Sequence, residues 1–301
     1  MTLNFMVTGA SGFLGSRLVE CLAKDKSISI FATFRDRTDR LMSPVPTNVQ
    51  YTRCDLSSQV ALTSLFSRAR FSAVIHTAAV IPTTAAGDFE AIARDNLVAP
   101  IHLISAARTS GVSRFIFCSS ISVYEPFEGF SEDAPLNPLS IYARSKYIGE
   151  QILKMAAGER MVGISLRLAG LHGPGRANGV VHHMVSAAHK HAPILVTEPN
   201  SRFRLCFIDD AIEAVLKILH MPTPPRHACY NIAGRDIFTL RMLAERIRFL
   251  TASSSEIREA PSSPVRNMVM PILRAECDLD YRPRGLDEHL REMIARVGEG
   301  E

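Results

Sequence analysis

Three glycines near the N-terminus, Gly9, Gly12 and Gly15, constrain the fold of this chain more than any other feature. They follow an apolar run that predicts a buried strand, and they open a helical pattern. Glycines let a chain turn sharply and bring bare backbone against a ligand, and the following helix directs free N–H groups at a phosphate. The sequence therefore predicts a site for the diphosphate of a dinucleotide. Its expected contacts are Gly9, Ser11, Gly12, Phe13, Leu14 and Gly15.

Length and composition are typical of a soluble enzyme. The 301 residues are 47% hydrophobic, which is enough for a full core and two lobes. The 34 basic and 30 acidic residues give a formal charge of +4, which is too balanced to favour nucleic acid as a partner. No apolar run reaches the roughly 20 residues of a membrane span, and the N-terminus enters a strand rather than a signal peptide. Six scattered cysteines without a CxxC pair predict free thiols in a reducing, cytoplasmic compartment and no metal site.

The first half of the chain alternates predicted strands with amphipathic helical stretches. Further strands are expected at 29–34, 49–52, 73–76 and 115–118, and helices at 59–69, 90–109 and 142–157. This alternation predicts an α/β fold, a Rossmann-type doubly wound parallel sheet, with a smaller C-terminal substrate-binding lobe. We expect residues 1–168 and 204–235 to form the dinucleotide-binding domain, and residues 169–203 and 236–301 to form the lobe.

Tyr142 and Lys146 form the first candidate catalytic pair. Pro138 and Ser140 indicate a helix start, so the two side chains lie one turn apart on the same face. A phenol with a pKa of about 10 is a weak base at neutral pH. A nearby ammonium group and a cationic nicotinamide ring would favour the phenolate. Tyr142 could then exchange a proton with a substrate oxygen while the cofactor moves a hydride, and Ser120 would orient that oxygen.

Many further landmarks follow in order along the chain. They include Asp55-Leu56, His76-Thr77-Ala78-Ala79, Asn96, Ser119-Ser120-Ile121-Ser122-Val123-Tyr124, Arg167, Leu171-His172-Gly173-Pro174-Gly175, Phe207-Ile208-Asp209-Asp210, Tyr230-Asn231-Ile232 and Leu279-Asp280-Tyr281-Arg282-Pro283. Together with the glycine loop and the YxxxK pair, this order resembles the extended short-chain dehydrogenases/reductases, the NAD-dependent epimerase/dehydratase family. The resemblance covers nearly the whole chain.

The resemblance implies the roles of several residues. Ser120, Tyr142 and Lys146 would be catalytic, and Tyr142 and Lys146 would also contact the cofactor, Lys146 through the nicotinamide ribose. The helices near 95–109 and 142–157 would pair across a two-fold axis in a homodimer.

Other landmarks imply contacts around the cofactor. Asp55 and Leu56 would contact the adenine, and Ala78 would lie against the cofactor. For Asn96, a structural role in bonding the backbone and a direct catalytic role both stay open. Glu150 matches the family and is interpreted as a solvated helix residue.

Some residues depart from the family pattern. Ile121-Ser122 stand where dehydratases of the family carry an Asp-Glu pair, so elimination of water is not expected. Glu125 stands where a glycine often follows the tyrosine, which would alter the loop over the substrate. The histidines between 182 and 191 have no carboxylate or cysteine at ligand spacing, which argues against a metal site.

The residues after the second predicted strand bear on the choice of cofactor. An acidic residue about 20 positions beyond the glycines normally holds the ribose 2′-hydroxyl of NAD. Here the strand ends in Arg35, with Asp36, Arg37 and Arg40 behind it. A guanidinium can clamp the 2′-phosphate of NADP, so the sequence favours NADP, whereas a small shift of the turn would bring Asp36 to the ribose of NAD.

Three functions are consistent with these features. The leading hypothesis is an oxidoreductase-type enzyme, a nucleotide-sugar 4-epimerase or 4-ketoreductase. The alternatives are a reductase of small non-nucleotide carbonyls and a non-catalytic dinucleotide sensor. A nucleotide sugar requires cations for its diphosphate, and by resemblance Arg266 is the first candidate. Asn178 and Arg204 are the other expected substrate contacts.

Overall fold

A parallel sheet forms the centre of the structure, a computed structural model that describes residues 3–82, 89–125, 130–176, 178–260 and 265–298. Within these ranges seven strands form the sheet: β1 (Leu3–Thr8), β2 (Ile28–Phe34), β3 (Val49–Arg53), β4 (Ala73–His76), β5 (Arg114–Ser120), β6 (Val162–Leu168) and β11 (Cys229–Ile232). Their order in space is β11-β6-β5-β4-β1-β2-β3, and all neighbours are parallel. The predicted doubly wound Rossmann-type sheet is confirmed.

The described residues also form ten α-helices. They are α1 (Phe13–Leu22), α2 (Gln59–Arg68), α3 (Phe89–Ile92), α4 (Ala99–Thr109), α5 (Ile141–Ala156), α6 (Val180–His189), α7 (Ile208–His220), α8 (Leu240–Leu250), α9 (Leu273–Leu279) and α10 (Leu286–Gly298). Among the described residues, the structure contains no helix with the length and apolar content that a membrane crossing requires.

Alternating side chains of the strands fill two separate cores. Val7 of β1 packs into the core under α1 and α7, whereas its neighbour Met6 packs into the core under α2, α4 and α5. Ile116 and Phe117 of β5 divide between the two cores in the same way. Burial on both faces explains why the strands are nearly continuous apolar runs.

The predicted helix over 90–109 is interrupted. Residues Ala93–Val98 form a π-helical segment between α3 and α4, in which the Ala99 N–H donates to the carbonyl of Arg94. Pro100 follows in the first turn of α4 and has no N–H to donate, which favours a break in the hydrogen-bond ladder at this point.

The remaining strands are short and lie toward the C-terminal part. They are β7 (Leu171–His172), β8 (Ile194–Val196), β9 (Arg202–Phe203), β10 (Cys206–Phe207), β12 (Phe238–Thr239), β13 (Ile257–Glu259) and β14 (Asn267–Met268). They pair as β10-β7, β12-β9-β14 and β13-β8. The division into two domains at the limits given above stays a prediction.

Candidate active site

The glycine loop joins β1 to α1 in a tightly folded turn. Gly9 has a φ of +70°, in the left-handed region that favours glycine. A Cβ on Gly15 would lie 2.1 Å from the carbonyl oxygen of Gly9, and a Cβ on Gly9 would lie 2.8 Å from the backbone of Ala78. Gly12 precedes α1 and has no side chain to cap its first N–H groups. The loop therefore leaves a bare backbone cradle at a helix N-terminus, which fits the diphosphate of a dinucleotide.

A cavity of about 330 Å³ opens beside this loop, at the carboxyl ends of β1, β2, β3 and β4. It brings together seven of the residues predicted to bind the cofactor: Gly9, Ser11, Gly12, Arg35, Asp55, Leu56 and Ala78. Leu14 and Gly15 instead lie buried in the first turn of α1, and Phe13 lines a neighbouring cavity of about 500 Å³.

Opposite charges meet at the rim of the 330 Å³ cavity. The Arg35 guanidinium donates from Nε to Asp36 at 3.0 Å and from Nη1 to Asp95 at 2.5 Å. Asp36 also accepts from Nη2 of Arg53 at 2.8 Å. The sequence reasoning missed Asp95, which reaches the rim from the π-helical segment, and Arg53 at the end of β3. Arg35 and Asp36 thus lie side by side at this rim.

Asn96, next to Asp95, has a backbone-bonding role. Its side chain accepts from the N–H of Val80 and donates to the carbonyl of the same residue, both at 2.8 Å. Of the two roles left open by the sequence, the structure shows the structural one.

The candidate catalytic residues meet beyond the ends of β4 and β5. Ser140 caps α5 by accepting from the N–H of Ala143 at 3.2 Å, so the helix begins where the sequence predicted. Tyr142 and Lys146 consequently share one face, with the Lys146 Nζ 5.9 Å from the centre of the tyrosine ring. The Ser120 hydroxyl lies close enough to the Tyr142 phenol to lower its pKa, and its Oγ donates to Oγ of Ser122 at 3.2 Å. The three predicted catalytic residues therefore form one cluster.

Electrostatics in this cluster differ from the expectation drawn from the sequence. Burial raises the pKa of Tyr142 to about 12, against the opposing effects of the nearby Ser120 hydroxyl and the positive charge of Arg176. Burial also lowers the pKa of Lys146 to about 8, and its Nζ donates to the Cys118 carbonyl at 2.9 Å. The protein alone therefore does not depress the pKa of Tyr142, because desolvation outweighs the nearby charges.

Arg176 is a residue that sequence reasoning missed. Its Nε donates to the carbonyl of Asn178 at 2.9 Å, and its guanidinium lies 5.5 Å from the centre of the Phe13 ring. The guanidinium of Arg40 lies 5.8 Å from the same ring and donates to the Gly175 carbonyl at 2.7 Å. The signal that could have found Arg176 was its position directly after the Gly-Pro-Gly stretch.

Glu125 and Glu150 both bond within the protein. Glu125 accepts from the N–H of Ser140 at 2.7 Å and from its hydroxyl at 3.0 Å, which ties the segment after Ser120 to the start of α5. Glu150 is 5% exposed and pairs with Arg167 at 2.7 Å. The interpretation of Glu150 as a solvated helix residue was therefore wrong. The helix turns this side chain inward, toward a cation on β6.

Of the expected substrate contacts, Arg266 and Arg204 adjoin the same small sheet, whereas Asn178 lies in a different segment. Arg266 pairs with Glu198 through Nε at 2.9 Å, and its main chain bonds that of Arg202 across β9 and β14. Arg204, in the same small sheet, donates to the Met270 carbonyl at 3.2 Å. Asn178 is exposed, in the turn that precedes α6.

Within the described ranges, no group of three or more His, Cys, Asp or Glu side chains is placed to hold a metal ion.

Comparison with known proteins identifies the family of this fold and site. The model of the NAD dependent epimerase/dehydratase family matches residues 5–233. The chain belongs to this family. The resemblance drawn from the sequence is thus confirmed.

Similar proteins of known sequence or structure include several sugar-nucleotide enzymes. A dTDP-4-dehydro-6-deoxyglucose reductase from Escherichia coli is 24% identical over 97% of this chain and 96% of that protein. A UDP-glucose 4-epimerase from Mycolicibacterium smegmatis is 33% identical over 51% of each chain. The crystal structure of UDP-glucuronic acid 4-epimerase from Bacillus cereus, in complex with UDP-glucuronic acid and NAD, has a TM-score of 0.87. It is 22% identical to this chain and covers 99% of both chains, which shows a shared fold.

Proposed function

We propose that this protein is a nicotinamide-dependent nucleotide-sugar 4-epimerase or 4-ketoreductase, with epimerisation the leading reaction. The observation that carries the proposal is the cluster of Ser120, Tyr142 and Lys146, at the same carboxyl edge of the sheet as the glycine loop. Curated relatives and structural neighbours that act on nucleotide sugars support the substrate class.

The residues of the chain have distinct tasks in this reaction. A bound nicotinamide would supply hydride transfer to and from the substrate carbon. Tyr142 takes the proton of the substrate hydroxyl and gives it back, and the Ser120 hydroxyl orients that oxygen. Lys146, held by the Cys118 carbonyl, supplies positive charge near the phenol and the nicotinamide ribose. Burial raises the pKa of Tyr142, and a cationic nicotinamide nearby would favour its phenolate.

We propose NADP as the preferred cofactor. Support comes from Arg35, a guanidinium at the cavity rim where the ribose of a dinucleotide is expected. The opposing observations are Asp36 beside it and the NAD bound in the structural neighbours. With NADP, the 2′-phosphate would replace a carboxylate as the partner of Arg35.

Titration of both cofactors tests this preference. We expect NADP to bind more tightly than NAD, and Arg35→Ala to weaken NADP binding by about tenfold or more, as loss of a charged hydrogen bond predicts. Binding is measured by quenching of protein tyrosine fluorescence or by calorimetry. Arg258→Ala is the matched control, because Arg258 is an exposed arginine outside this cavity that pairs with Glu256. Tighter binding of NAD, with NADP affinity unchanged in Arg35→Ala, would show that Asp36 sets the preference.

We further propose that Arg266 binds the substrate diphosphate, with Arg204 and Asn178 as additional contacts. Arg266 and Arg204 belong to adjoining segments of one small sheet. Binding requires the Arg266 guanidinium to exchange the Glu198 carboxylate for phosphate oxygens.

Calorimetry with UDP, GDP, dTDP and CDP on the cofactor-loaded protein tests the substrate class. One of the four is expected to bind with a micromolar Kd, and Arg266→Ala is expected to weaken that binding by about tenfold. Arg258→Ala serves as the control, since Arg258 is an exposed arginine that pairs with Glu256. If none of the four binds below millimolar concentration, the function becomes reduction of a small carbonyl. Absence of turnover on any carbonyl would leave a dinucleotide sensor.

A further inference from the structure

A buried carboxylate lies directly beneath the candidate catalytic residues. The Ser119 hydroxyl donates to Oε1 of Glu150 at 2.5 Å. The Arg167 guanidinium donates to Oε2 of the same carboxylate from Nε at 3.2 Å and from Nη2 at 2.7 Å. Arg167 and Glu150 are each 5% exposed, and Ser119 is 4% exposed. The two charges are therefore enclosed together, with Ser119 as a third partner.

The contacts continue from Arg167 toward the segment that follows Ser120. Its Nη1 donates to the Tyr124 hydroxyl at 2.8 Å and to the Glu132 carbonyl at 3.3 Å. The Tyr124 hydroxyl in turn donates to Oδ1 of Asn231 on β11 at 2.7 Å. Arg167 thus connects the Tyr124 end of the 3₁₀ turn Ile121–Tyr124 to β6, and Tyr124 connects it to β11.

The carboxylate joins the two elements that carry the catalytic cluster. Ser119 immediately precedes Ser120 at the end of β5, and it lies opposite Arg167 in the register of β5 and β6. Glu150 lies one turn after Lys146 on α5, on the helix face that also carries Tyr142. One side chain therefore fixes the strand that presents Ser120 against the helix that presents Tyr142 and Lys146.

A gain in folding free energy does not explain why Glu150 and Arg167 are buried together. Removing two charges from water costs about as much as their attraction returns, so a buried ion pair contributes little to the free energy of folding. Its hydrogen bonds nevertheless have strict geometry, which makes them suited to fixing the relative position of two elements. The negative charge of Glu150 also raises the pKa of Lys146, whereas burial lowers it.

We propose that Glu150 is a positioning residue, which through Ser119 and Arg167 sets the distance between Ser120 and the Tyr142–Lys146 face of α5. This inference rests on the proposed function, because it assigns Glu150 a part in that reaction. A displacement of 1 Å in a catalytic group can lower a rate by about 10²-fold. Loss of the contact should therefore lower kcat more than it raises KM.

Ser119→Ala is the mildest test. It removes one hydrogen bond and leaves the Glu150–Arg167 pair in place. We expect kcat to fall by roughly 10- to 100-fold with KM within about twofold of its original value. Ser113→Ala is the control, since the Ser113 hydroxyl bonds the Ser72 carbonyl at the opposite end of β5. A kcat within about twofold of the unmodified protein would overturn the positioning role of this contact.

A second pair of variants separates positioning from folding. Glu150→Gln leaves Arg167 buried without its counter-charge, so a lower unfolding temperature is expected. The double variant Glu150→Gln with Arg167→Met removes both charges and should recover much of that stability. A merely structural role predicts that kcat recovers together with the unfolding temperature. The positioning role predicts that kcat stays low in the double variant. Glu159→Gln, on an exposed residue beyond α5, is the control.

The pH profile supplies a readout that stability alone does not move. The groups that face Lys146 are His76 on β4, Cys118 on β5, and Tyr142 and Glu150 on α5. Burial lowers the pKa of His76 to about 3, and burial raises the pKa values of Cys118 and Tyr142 to about 12. Lys146, with a pKa of about 8, is therefore the group that loses a proton in the working range.

Removal of the Glu150 charge makes that proton easier to lose. The alkaline limb of kcat should accordingly move to lower pH by about one unit in Glu150→Gln. An unchanged limb would contradict the electrostatic part of the proposal. If the unmodified protein turns over no nucleotide sugar, the proposed function fails on that result alone. In that case the alkaline limb is measured in the pH dependence of cofactor binding. A shift of that limb in Glu150→Gln supports the role proposed for Glu150, and an unchanged limb refutes it.

Discussion

Replacement of Tyr142 with phenylalanine is expected to lower kcat by about 10²–10⁴-fold, the contribution of a positioned acid or base. The change deletes a single oxygen, which is the atom that exchanges a proton with the substrate in the proposed reaction. The ring keeps its half-buried position on α5, so the fold and the cofactor affinity should be retained. Steady-state turnover measures kcat, cofactor titration measures the affinity, and thermal unfolding reports on the fold.

Tyr147→Phe is the matched control for this change. Tyr147 lies on the same helix, and its partly buried ring packs against the core. We expect its kcat to stay within about twofold of the original value, since the Tyr147 hydroxyl is not part of the cluster of Ser120, Tyr142 and Lys146. Near-normal turnover in Tyr142→Phe would rule out the proposed mechanism.

Gly15→Ala should produce the second large effect, a loss of cofactor binding together with lower stability. Its Cβ would lie 2.1 Å from the Gly9 carbonyl oxygen and 2.7 Å from Oγ1 of Thr77, so the glycine loop would have to move. Overpacking of this kind costs about 1–3 kcal/mol of folding free energy. Displacement of the loop also removes the backbone cradle for the diphosphate.

Gly158→Ala makes the same chemical change without the contact. A Cβ there would meet no heavy atom of the described residues within 4 Å. Its free energy of unfolding, measured by chemical denaturation, and its Kd for the cofactor, measured by titration, should be close to those of the unmodified protein. Full cofactor affinity in Gly15→Ala would mean that the diphosphate binds elsewhere.

Much of this architecture follows from patterns that a sequence carries locally. The alternation of apolar runs with amphipathic stretches predicts the sheet, since both kinds of element are short-range features. Ser140 predicts the start of α5 through its cap, and that start fixes the shared face of Tyr142 and Lys146. The glycine spacing similarly predicts the turn between β1 and α1.

The environment of individual side chains was harder to predict because it depends on distant partners. Glu150 looks like any helix glutamate until the register of β5 and β6 places Arg167 beneath it. Arg35 looks free to bind a phosphate until Asp95, 60 residues later, reaches its guanidinium. The pKa of Tyr142 likewise depends on burial, which a sequence window does not reveal.

The π-helical segment before α4 has a consequence for the phase of that helix. Where the Ala99 N–H reaches back five residues instead of four, the preceding turn is rotated by about 100° relative to a continuous α-helix. The rotated turn directs Asp95 to Arg35 and Asn96 to the backbone of Val80. Beyond it, α4 keeps the phase that buries Leu103 and Ile104 against α2 and α5. The side chains before the π-helical segment's end can therefore face the 330 Å³ cavity, while those of α4 face the core, which a continuous α-helix could not achieve.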